Sequence, residues 1–150
     1  MAAVARAARL AAVALILAVA AAAVPAVSSA ASPYTGSLSV SATSIKVGDR
    51  ITVVETATNL TGTQVSFITV GIRRLGFTVV SAVKPRTGIC RIAGSATCSF
   101  LSLNPYETQS YTLTLAATTP GTYQIQGWTT QPSAGGAPGV LFTVPVTVSA

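Results

Sequence analysis

An alternation of apolar with small polar residues, rich in Thr and Val, begins near Ser37 and dominates the rest of the chain. A period of two residues is typical of strands that bury one face and expose the other. Apolar residues nowhere recur at spacings of three and four over three helical turns, so the pattern favours no amphipathic helix. The alternation predicts eight strands, at residues 36–42, 49–58, 64–72, 76–83, 96–101, 108–116, 121–128 and 140–148.

Turn-forming residues separate these segments, for example Gly48 with Asp49 and Pro120 with Gly121. The stretch 131–139 contains two Pro and three Gly, so it is predicted to be a loop. Seven to eight short strands, joined by turns at this spacing, predict an all-β domain built as a sandwich.

The first 31 residues have a different pattern, which is typical of a secretory signal peptide. Arg6 and Arg9 form a positive amino-terminal region, residues 10–24 are continuously apolar, and Pro25 ends that run. The small residues 28–31 suit cleavage after the third or fourth of them, Ala30 or Ala31. The apolar run is 15 residues long, which favours cleavage over an uncleaved anchor because a spanning helix needs ~20.

The predicted organisation is a signal peptide over residues 1–31 followed by one sandwich domain over residues 32–150. Although 50% of the residues are hydrophobic and only 8% are charged, no later apolar run approaches the ~20 residues of a spanning helix. We therefore expect a secreted, extracellular protein that contacts the membrane only through its signal peptide. An even number of cysteines, Cys90 and Cys98, argues for a disulfide in an exported chain.

Six short motifs occur in one order along the predicted domain. They are Val47-Gly48-Asp49, Asn59 with Gly62, Gly76-Phe77-Thr78-Val79-Val80-Ser81, Cys90 with Cys98, Leu103-Asn104-Pro105 and Pro120-Gly121-Thr122. In this order they resemble the bacterial conserved-repeat domain, known as domain of unknown function eleven, whose members recur in surface and secreted proteins. The resemblance spans roughly residues 36–130.

This resemblance implies an immunoglobulin-like (transthyretin-like) antiparallel β-sandwich, a bridge between the two cysteines, no known catalytic activity, and a role as a spacer or adhesive module. The chain departs from the family in four respects. It has a single copy of a domain that the family usually repeats, Arg73-Arg74 replaces a Leu-Pro pair, Tyr106 replaces Gly, and Glu55 replaces an apolar residue. A single copy weakens the spacer interpretation, because one sandwich spans little distance.

Catalytic chemistry has few residues to use in this chain. It contains no His, one Asp and two Glu. The chain therefore lacks the His of a Ser-His-Asp mechanism, and its few acidic residues, which are predicted to lie on separate strands or loops, offer no carboxylate pair. Ser81 and Lys84 match an S-x-x-K pattern that penicillin-recognising enzymes place on a helix, but alternation along a strand sends the two side chains to opposite sides. A hydrolase that uses this pair is a distant alternative, and no cofactor or metal site is expected.

Basic residues cluster in one part of the predicted domain, since five of its seven Lys and Arg lie between residues 73 and 91. These candidate anionic-ligand residues are Arg73, Arg74, Lys84, Arg86 and Arg91. On turns and strand ends, they would form a patch for an anionic cell-envelope polymer. The alternative is that scattered cations keep a charge-poor protein soluble. Nucleic acid is not an expected partner, because the chain is exported and its basic residues lack interleaved aromatic side chains.

Trp128 is the lone Trp and a candidate exposed aromatic residue. It is out of phase with Tyr123 and Ile125, so strict alternation places it on the solvent face of its strand. A bulge at Gly127 would instead return it to the core. Tyr123 resembles the tyrosine corner of sandwich domains, which is a structural role.

Glu55 fits its strand poorly, because alternation through Ile51 and Val53 places it on the buried face. An isolated buried carboxylate is costly, so the group must find a partner or lose its charge. Two interpretations follow from the sequence. Either Glu55 forms an ion pair with Arg73 or Arg74, or an irregularity in the strand brings it to water.

Together these features predict a secreted, non-catalytic binding or structural module of the cell envelope or extracellular space. Its expected partner is an anionic cell-envelope polymer or another surface protein. The alternative function is a subunit of a larger surface assembly that pairs with its neighbour through an edge strand.

Overall fold

The structure is a computed structural model that describes residues 32–93, 95–131 and 139–150. The signal peptide predicted for residues 1–31 lies outside these ranges and stays a prediction, as does most of the loop predicted for residues 131–139. Within the described ranges the chain forms strands and no helix, which confirms the all-β class. No helix there is long and apolar enough to cross a membrane.

The described residues form ten strands. They are β1 (Tyr34–Val40), β2 (Ser44–Lys46), β3 (Arg50–Asn59), β4 (Val65–Arg74), β5 (Phe77–Val83), β6 (Gly88–Arg91), β7 (Ala96–Leu103), β8 (Thr108–Ala117), β9 (Gly121–Thr130) and β10 (Val140–Ser149). All eight predicted strands are present, each with both ends within two residues of the prediction. The predicted number of seven to eight is too small, because β2 and β6 have only 3 and 4 residues and are too short for an alternating run to reveal them.

Two sheets form the sandwich. One has four strands in the order β1-β3-β8-β5, and the other has six in the order β2-β10-β9-β4-β7-β6. Neighbouring strands pair antiparallel, except that the short β2 runs parallel to β10. The predicted sandwich is therefore confirmed, with one local departure from the fully antiparallel arrangement.

The core lies between the two sheets, where the apolar positions of the alternation point inward. Ile51 and Leu113 from the four-stranded sheet and Ile68, Phe100 and Ile125 from the six-stranded sheet are fully buried. Because successive side chains of a strand point to opposite faces, the residues between these positions cover the outer faces. Any ligand that binds a sheet face must therefore recognise those intervening residues.

The disulfide joins Cys90 on β6 to Cys98 on β7, as predicted. The two residues are a cross-strand pair with Cα atoms 4.1 Å apart. Strand β6 has only 4 residues and lies at the edge of the six-stranded sheet. The bridge therefore fastens to the sheet an edge strand whose few ladder hydrogen bonds would hold it weakly.

Tyr123, near the start of β9, has the structural role that the sequence predicted. Its hydroxyl group lies 3.2 Å and 3.1 Å from the carbonyl oxygens of Thr119 and Pro120, to which it donates. Its ring packs edge-on against Phe77, with ring centroids 5.6 Å apart. A Cβ atom at Gly76 would overlap this ring, so the glycine makes room for it. These contacts fix the turn that leads into β9.

Candidate functional site

Trp128 lies on the outer face of the six-stranded sheet. Strand β9 keeps an unbroken register with both neighbours, which pairs Trp128 with Gly71 on β4 and with Leu141 on β10. The alternative of a bulge at Gly127 is wrong, and Gly127 itself is buried on the inner face. The Trp128 side chain is partly covered and partly exposed.

Gly71 explains why Trp128 is only partly exposed. A Cβ atom on Gly71 would overlap Cζ2, Cε2 and Cη2 of the six-membered ring of the indole. The ring therefore lies directly over the backbone of β4, in space that only glycine leaves free. An indole pressed against a sheet in this way presents its other side to solvent as a flat apolar platform.

Two of the predicted cationic residues reach the same outer face. Arg73 follows Gly71 by two residues on β4, so alternation places it on the side of Trp128, and it is exposed. Arg91 on β6 pairs with Thr97, which in turn pairs with Gly71. Arg91 therefore continues the cross-strand row that begins at Trp128, and the sheet brings together three residues that are distant in sequence.

Exposed apolar side chains extend this face. Leu141 and Ile89 are each 65% exposed, and Phe67 is 56% exposed. Phe67 and Leu101 lie at matching positions of β4 and β7. Sequence reasoning missed all four. Alternation along the predicted strands would have revealed Phe67, Leu101 and Leu141 as outward-facing, whereas Ile89 lies on β6, which the sequence did not predict. We define the Trp128 face as Phe67, Arg73, Ile89, Arg91, Leu101, Trp128 and Leu141.

No carboxylate lies on the Trp128 face. The chain has three acidic residues, Asp49, Glu55 and Glu107, and the structure describes all of them. Asp49 lies in the turn before β3, Glu107 in the turn before β8, and Glu55 points into the core. The charge on this face is therefore purely positive, which favours an anionic ligand.

The other predicted cations do not join the face. Arg74 is turned inward, where Nη1 donates to the carbonyl oxygen of Phe77 at 3.2 Å and Nη2 to that of Ile92 at 3.1 Å. Lys84 follows the end of β5 at the edge of the other sheet, and Arg86 lies in the turn between β5 and β6. The fold therefore does not bring the five predicted cations together in a single patch. Alternation along β4 separates the adjacent arginines to opposite faces.

A polar pocket of about 220 Å³ lies beside Arg86. Its lining residues are Arg86, Thr87, Ser102, Asn104, Glu107 and Gln109. The Glu107 carboxylate accepts two hydrogen bonds, one from the backbone N–H of Asn104 at 2.7 Å and one from the side-chain amide of Gln109 at 2.9 Å. These two hydrogen bonds, and to a lesser degree the charge of Arg86, hold the pKa of Glu107 below its usual value. The ionised Glu107 offsets the charge of Arg86, so these two side chains give the pocket no net positive charge.

Glu55 lies on the inner side of the same backbone that carries the indole. Its side chain is fully buried, and its carboxyl group faces Gly127 and the N–H groups of Gly71 and Trp128. Burial raises the pKa of Glu55 to about 9, and the two N–H groups lower it only in part. Neither N–H reaches hydrogen-bond geometry, so both carboxyl oxygens lack a partner. At neutral pH the group is therefore protonated.

Both interpretations of Glu55 from the sequence are wrong. Arg73 lies on the outer face and Arg74 is bound by carbonyl oxygens, so neither pairs with it. Strand β3 keeps its register with both neighbours, so no irregularity brings the carboxyl group to water. Glu55 instead lies opposite Tyr111 on the neighbouring strand β8. The hydroxyl group of Tyr111 is also buried and has no hydrogen-bond partner. Loss of charge, rather than an ion pair, makes this burial tolerable.

Ser81 and Lys84 lie on different parts of the fold's local structure, because only Ser81 belongs to a strand. Ser81 lies on the outer side of β5 opposite Thr114, whereas Lys84 follows Val83, the last residue of the strand. No hydrogen bond joins the pair among the described residues. The same part of the chain contains no group of three or more His, Cys, Asp or Glu residues that could hold a metal ion.

Several solved β-sandwich domains are similar to this fold. A CARDB domain from Pyrococcus furiosus is 16% identical, with a TM-score of 0.54 over 77% of this chain and 94% of that chain. The cupredoxin domain of amoB from Nitrosocaldus yellowstonii is 12% identical, with a TM-score of 0.51 over 80% and 89%. BcpA, the major pilin subunit of Bacillus cereus, is 8% identical, with a TM-score of 0.53 over 77% of this chain and 40% of BcpA.

The fold is an immunoglobulin-like β-sandwich. At identities this low the similarity shows architecture alone, because one fold carries many unrelated functions. No protein-family model matches the chain, and no curated protein matches it. Membership of the conserved-repeat family therefore stays a prediction, and function has to be argued from the residues on the surface.

Proposed function

We propose that this protein is a secreted, non-catalytic binding module that contacts its partner through the Trp128 face. One observation carries the proposal: the only Trp of the chain, four exposed apolar side chains and two arginines lie together on one sheet face. Contiguous exposed apolar patches mark interaction surfaces. Trp and Arg dominate the centres of such surfaces, because they combine a large contact area with polar contacts.

Export is part of this proposal. The Cys90–Cys98 disulfide suits an oxidising compartment, and the pattern of residues 1–31 supports a signal peptide that is cleaved after Ala30 or Ala31. The mass of the secreted protein tests this part, since a full-length species would contradict it.

Co-sedimentation of the secreted protein with isolated bacterial envelopes tests the binding role. Leu141→Asp should lower the bound fraction about tenfold, because a charge on an apolar contact surface must be desolvated on binding. Val83→Asp is the matched control, since Val83 is 66% exposed on the four-stranded sheet and Leu141 is 65% exposed. Equal losses from the two variants, or no binding by the unaltered protein, would contradict the proposal.

A second function, assembly through an edge strand, has a separate observation in its favour. Strand β1 is a seven-residue edge of the four-stranded sheet and contains no charged residue and no Pro. Natural proteins usually protect such edges with charges, Pro or bulges, because an exposed edge can pair with another strand. Sedimentation velocity at rising concentration should then show oligomers that Ser37→Lys disperses. A protein that stays monomeric would exclude self-assembly of this kind.

A further inference from the structure

We infer that the ligand of the Trp128 face is an acidic polysaccharide whose carboxylate groups bind Arg73 and Arg91. This inference rests on the proposed function and names the class of ligand. It follows from the position of the indole ring, from the polar side chains beside it, and from the spacing of the two arginines.

The position of the indole favours a flat ligand. Because the ring of Trp128 lies over Gly71 and against the sheet, it cannot project into a cavity of a partner, as interface anchor residues commonly do. It can only be stacked upon. A pyranose ring has a face made of C–H groups that stacks on an aromatic ring, and its hydroxyl groups point outward around that face.

Polar side chains stand where those hydroxyl groups would lie. Thr143, Gln126 and Arg73 form a cross-strand row on the outer face. This row is two residues further along the strands than the row of Trp128, which is about 7 Å. Hydroxyl, amide and guanidinium groups can together donate to and accept from sugar hydroxyl groups. The indole platform therefore has a hydrogen-bonding border on this side.

The arginines favour an acidic chain over a neutral one. Arg73 and Arg91 are separated by two strand spacings and by two residues along the strands, which places their backbones about 12 Å apart. A guanidinium group binds a carboxylate through two parallel hydrogen bonds. Since no acidic residue of the protein lies on this face, both arginines are available. A polymer of acidic sugars that repeats its carboxylates at about this spacing or closer can reach both.

Tryptophan fluorescence measures binding at this face directly, because Trp128 is the only Trp in the chain. The probe is polygalacturonic acid, with uncharged dextran as its control. We expect a saturable change of emission with polygalacturonic acid and none with dextran. Raising NaCl from about 0.05 M to about 0.5 M should weaken the binding at least about tenfold, because salt screens exposed charges.

Charge-reversal variants distinguish a specific binding site from general electrostatic attraction. Arg73→Glu and Arg91→Glu should each weaken binding about tenfold, whereas Arg50→Glu should weaken it less than about twofold. Arg50 is a matched control, because it is exposed on the outer face of the four-stranded sheet and makes the same change of net charge. All three side chains are exposed, and Arg73→Gln, which adds no negative charge, should show an intermediate loss.

The outcomes distinguish this inference from the proposed function. Equal weakening by Arg50→Glu, or equal binding of dextran, would overturn the inference. If envelopes bind in a Leu141-dependent way but polygalacturonic acid does not, the ligand class is wrong and the binding module stands. If protease treatment of the envelopes abolishes that binding, the partner is a protein and the inference is again wrong. Absence of binding to both envelopes and polymer would overturn both.

Discussion

The two outer faces of the sandwich follow the same alternation but differ in chemistry. The four-stranded sheet exposes mainly Thr and Ser, whose hydroxyl groups bond across strands, as in the pairs Ser37 with Thr56 at 2.7 Å and Thr58 with Thr108 at 2.8 Å. The six-stranded sheet exposes the Trp128 face. Thr and Ser already satisfy what an outer strand position needs for folding. Folding therefore does not require the exposed apolar area and the positive charge of the Trp128 face, and this supports the binding role proposed for it.

The inner faces differ as well. Glu55 and Tyr111 are among the polar side chains that the four-stranded sheet buries, and the six-stranded sheet receives the carboxyl group of Glu55 against its backbone at Gly71, Gly127 and Trp128. The protonated Glu55 therefore lies on the inner side of the sheet backbone whose outer side carries the indole of Trp128. Four changes test how far the two sheets are independent.

The largest effect is expected from Glu55. Its pKa rises from 4.5 to about 9 on folding, so between these values the folded protein holds a proton that the unfolded chain has lost. Stability should therefore fall as pH rises from about 4.5 to about 9, by up to ~1.4 kcal/mol per pH unit, and stay flat below that window. Urea unfolding measured at several pH values reports this slope.

Glu55→Gln should remove most of that slope and should be more stable than the unaltered protein above pH ~8, because the amide cannot ionise. Asp49→Asn is the control, since Asp49 lies in an exposed turn. A slope that survives in Glu55→Gln would show that the carboxyl group is not the cause.

The next effect separates the two sheets. Replacing Cys90 and Cys98 by Ser should lower stability by ~2.5 kcal/mol, because the bridge closes a short loop in the unfolded chain. Because β6 is fastened by this bridge, amide hydrogen exchange should accelerate in β6 and β7. Exchange in β1, an edge of the other sheet, serves as the internal control. Equal acceleration in β1 would mean that the sheets loosen together.

Gly71→Ala tests whether the indole of Trp128 packs against the backbone of β4. The added methyl group overlaps the Trp128 ring, so the ring must move toward solvent, with a loss of about 1–3 kcal/mol in stability. Emission should shift to longer wavelength. Gly62→Ala is the matched control, because a Cβ atom there meets only the hydroxyl group of Tyr106, at 3.5 Å. Unchanged emission in Gly71→Ala would contradict the position of the ring.

The smallest effect is expected on the Thr and Ser face. Thr56→Val removes the hydroxyl group that bonds Ser37, but the site is on the surface and Val suits a strand, so stability should change by less than about 0.5 kcal/mol. Binding to envelopes should stay the same. Thermal unfolding and co-sedimentation check both expectations. A loss of binding would show that this face also contacts the partner.

Alternation predicted individual positions better than it predicted groups of residues. It placed Trp128 outward through its phase with Ile125, and the unbroken register of β9 keeps it there. The same rule, applied from Ile72, would have turned Arg74 inward, so the five-residue patch could have been corrected from the sequence. For Glu55 the buried position was predicted correctly, but its protonated state depends on how fully the other sheet covers its carboxyl group, which the sequence does not show.

The sequence by itself determined the strands and the face on which each side chain lies, because both follow from a backbone period of two residues, which is a local property. Only the tertiary structure decided that Trp128, Arg73 and Arg91 lie on one sheet face. They lie on β9, β4 and β6, which the strand order β9-β4-β7-β6 places in one sheet, within three strand spacings of one another. That order arises from the joint burial of two whole sheets, and no local spacing in the chain encodes it.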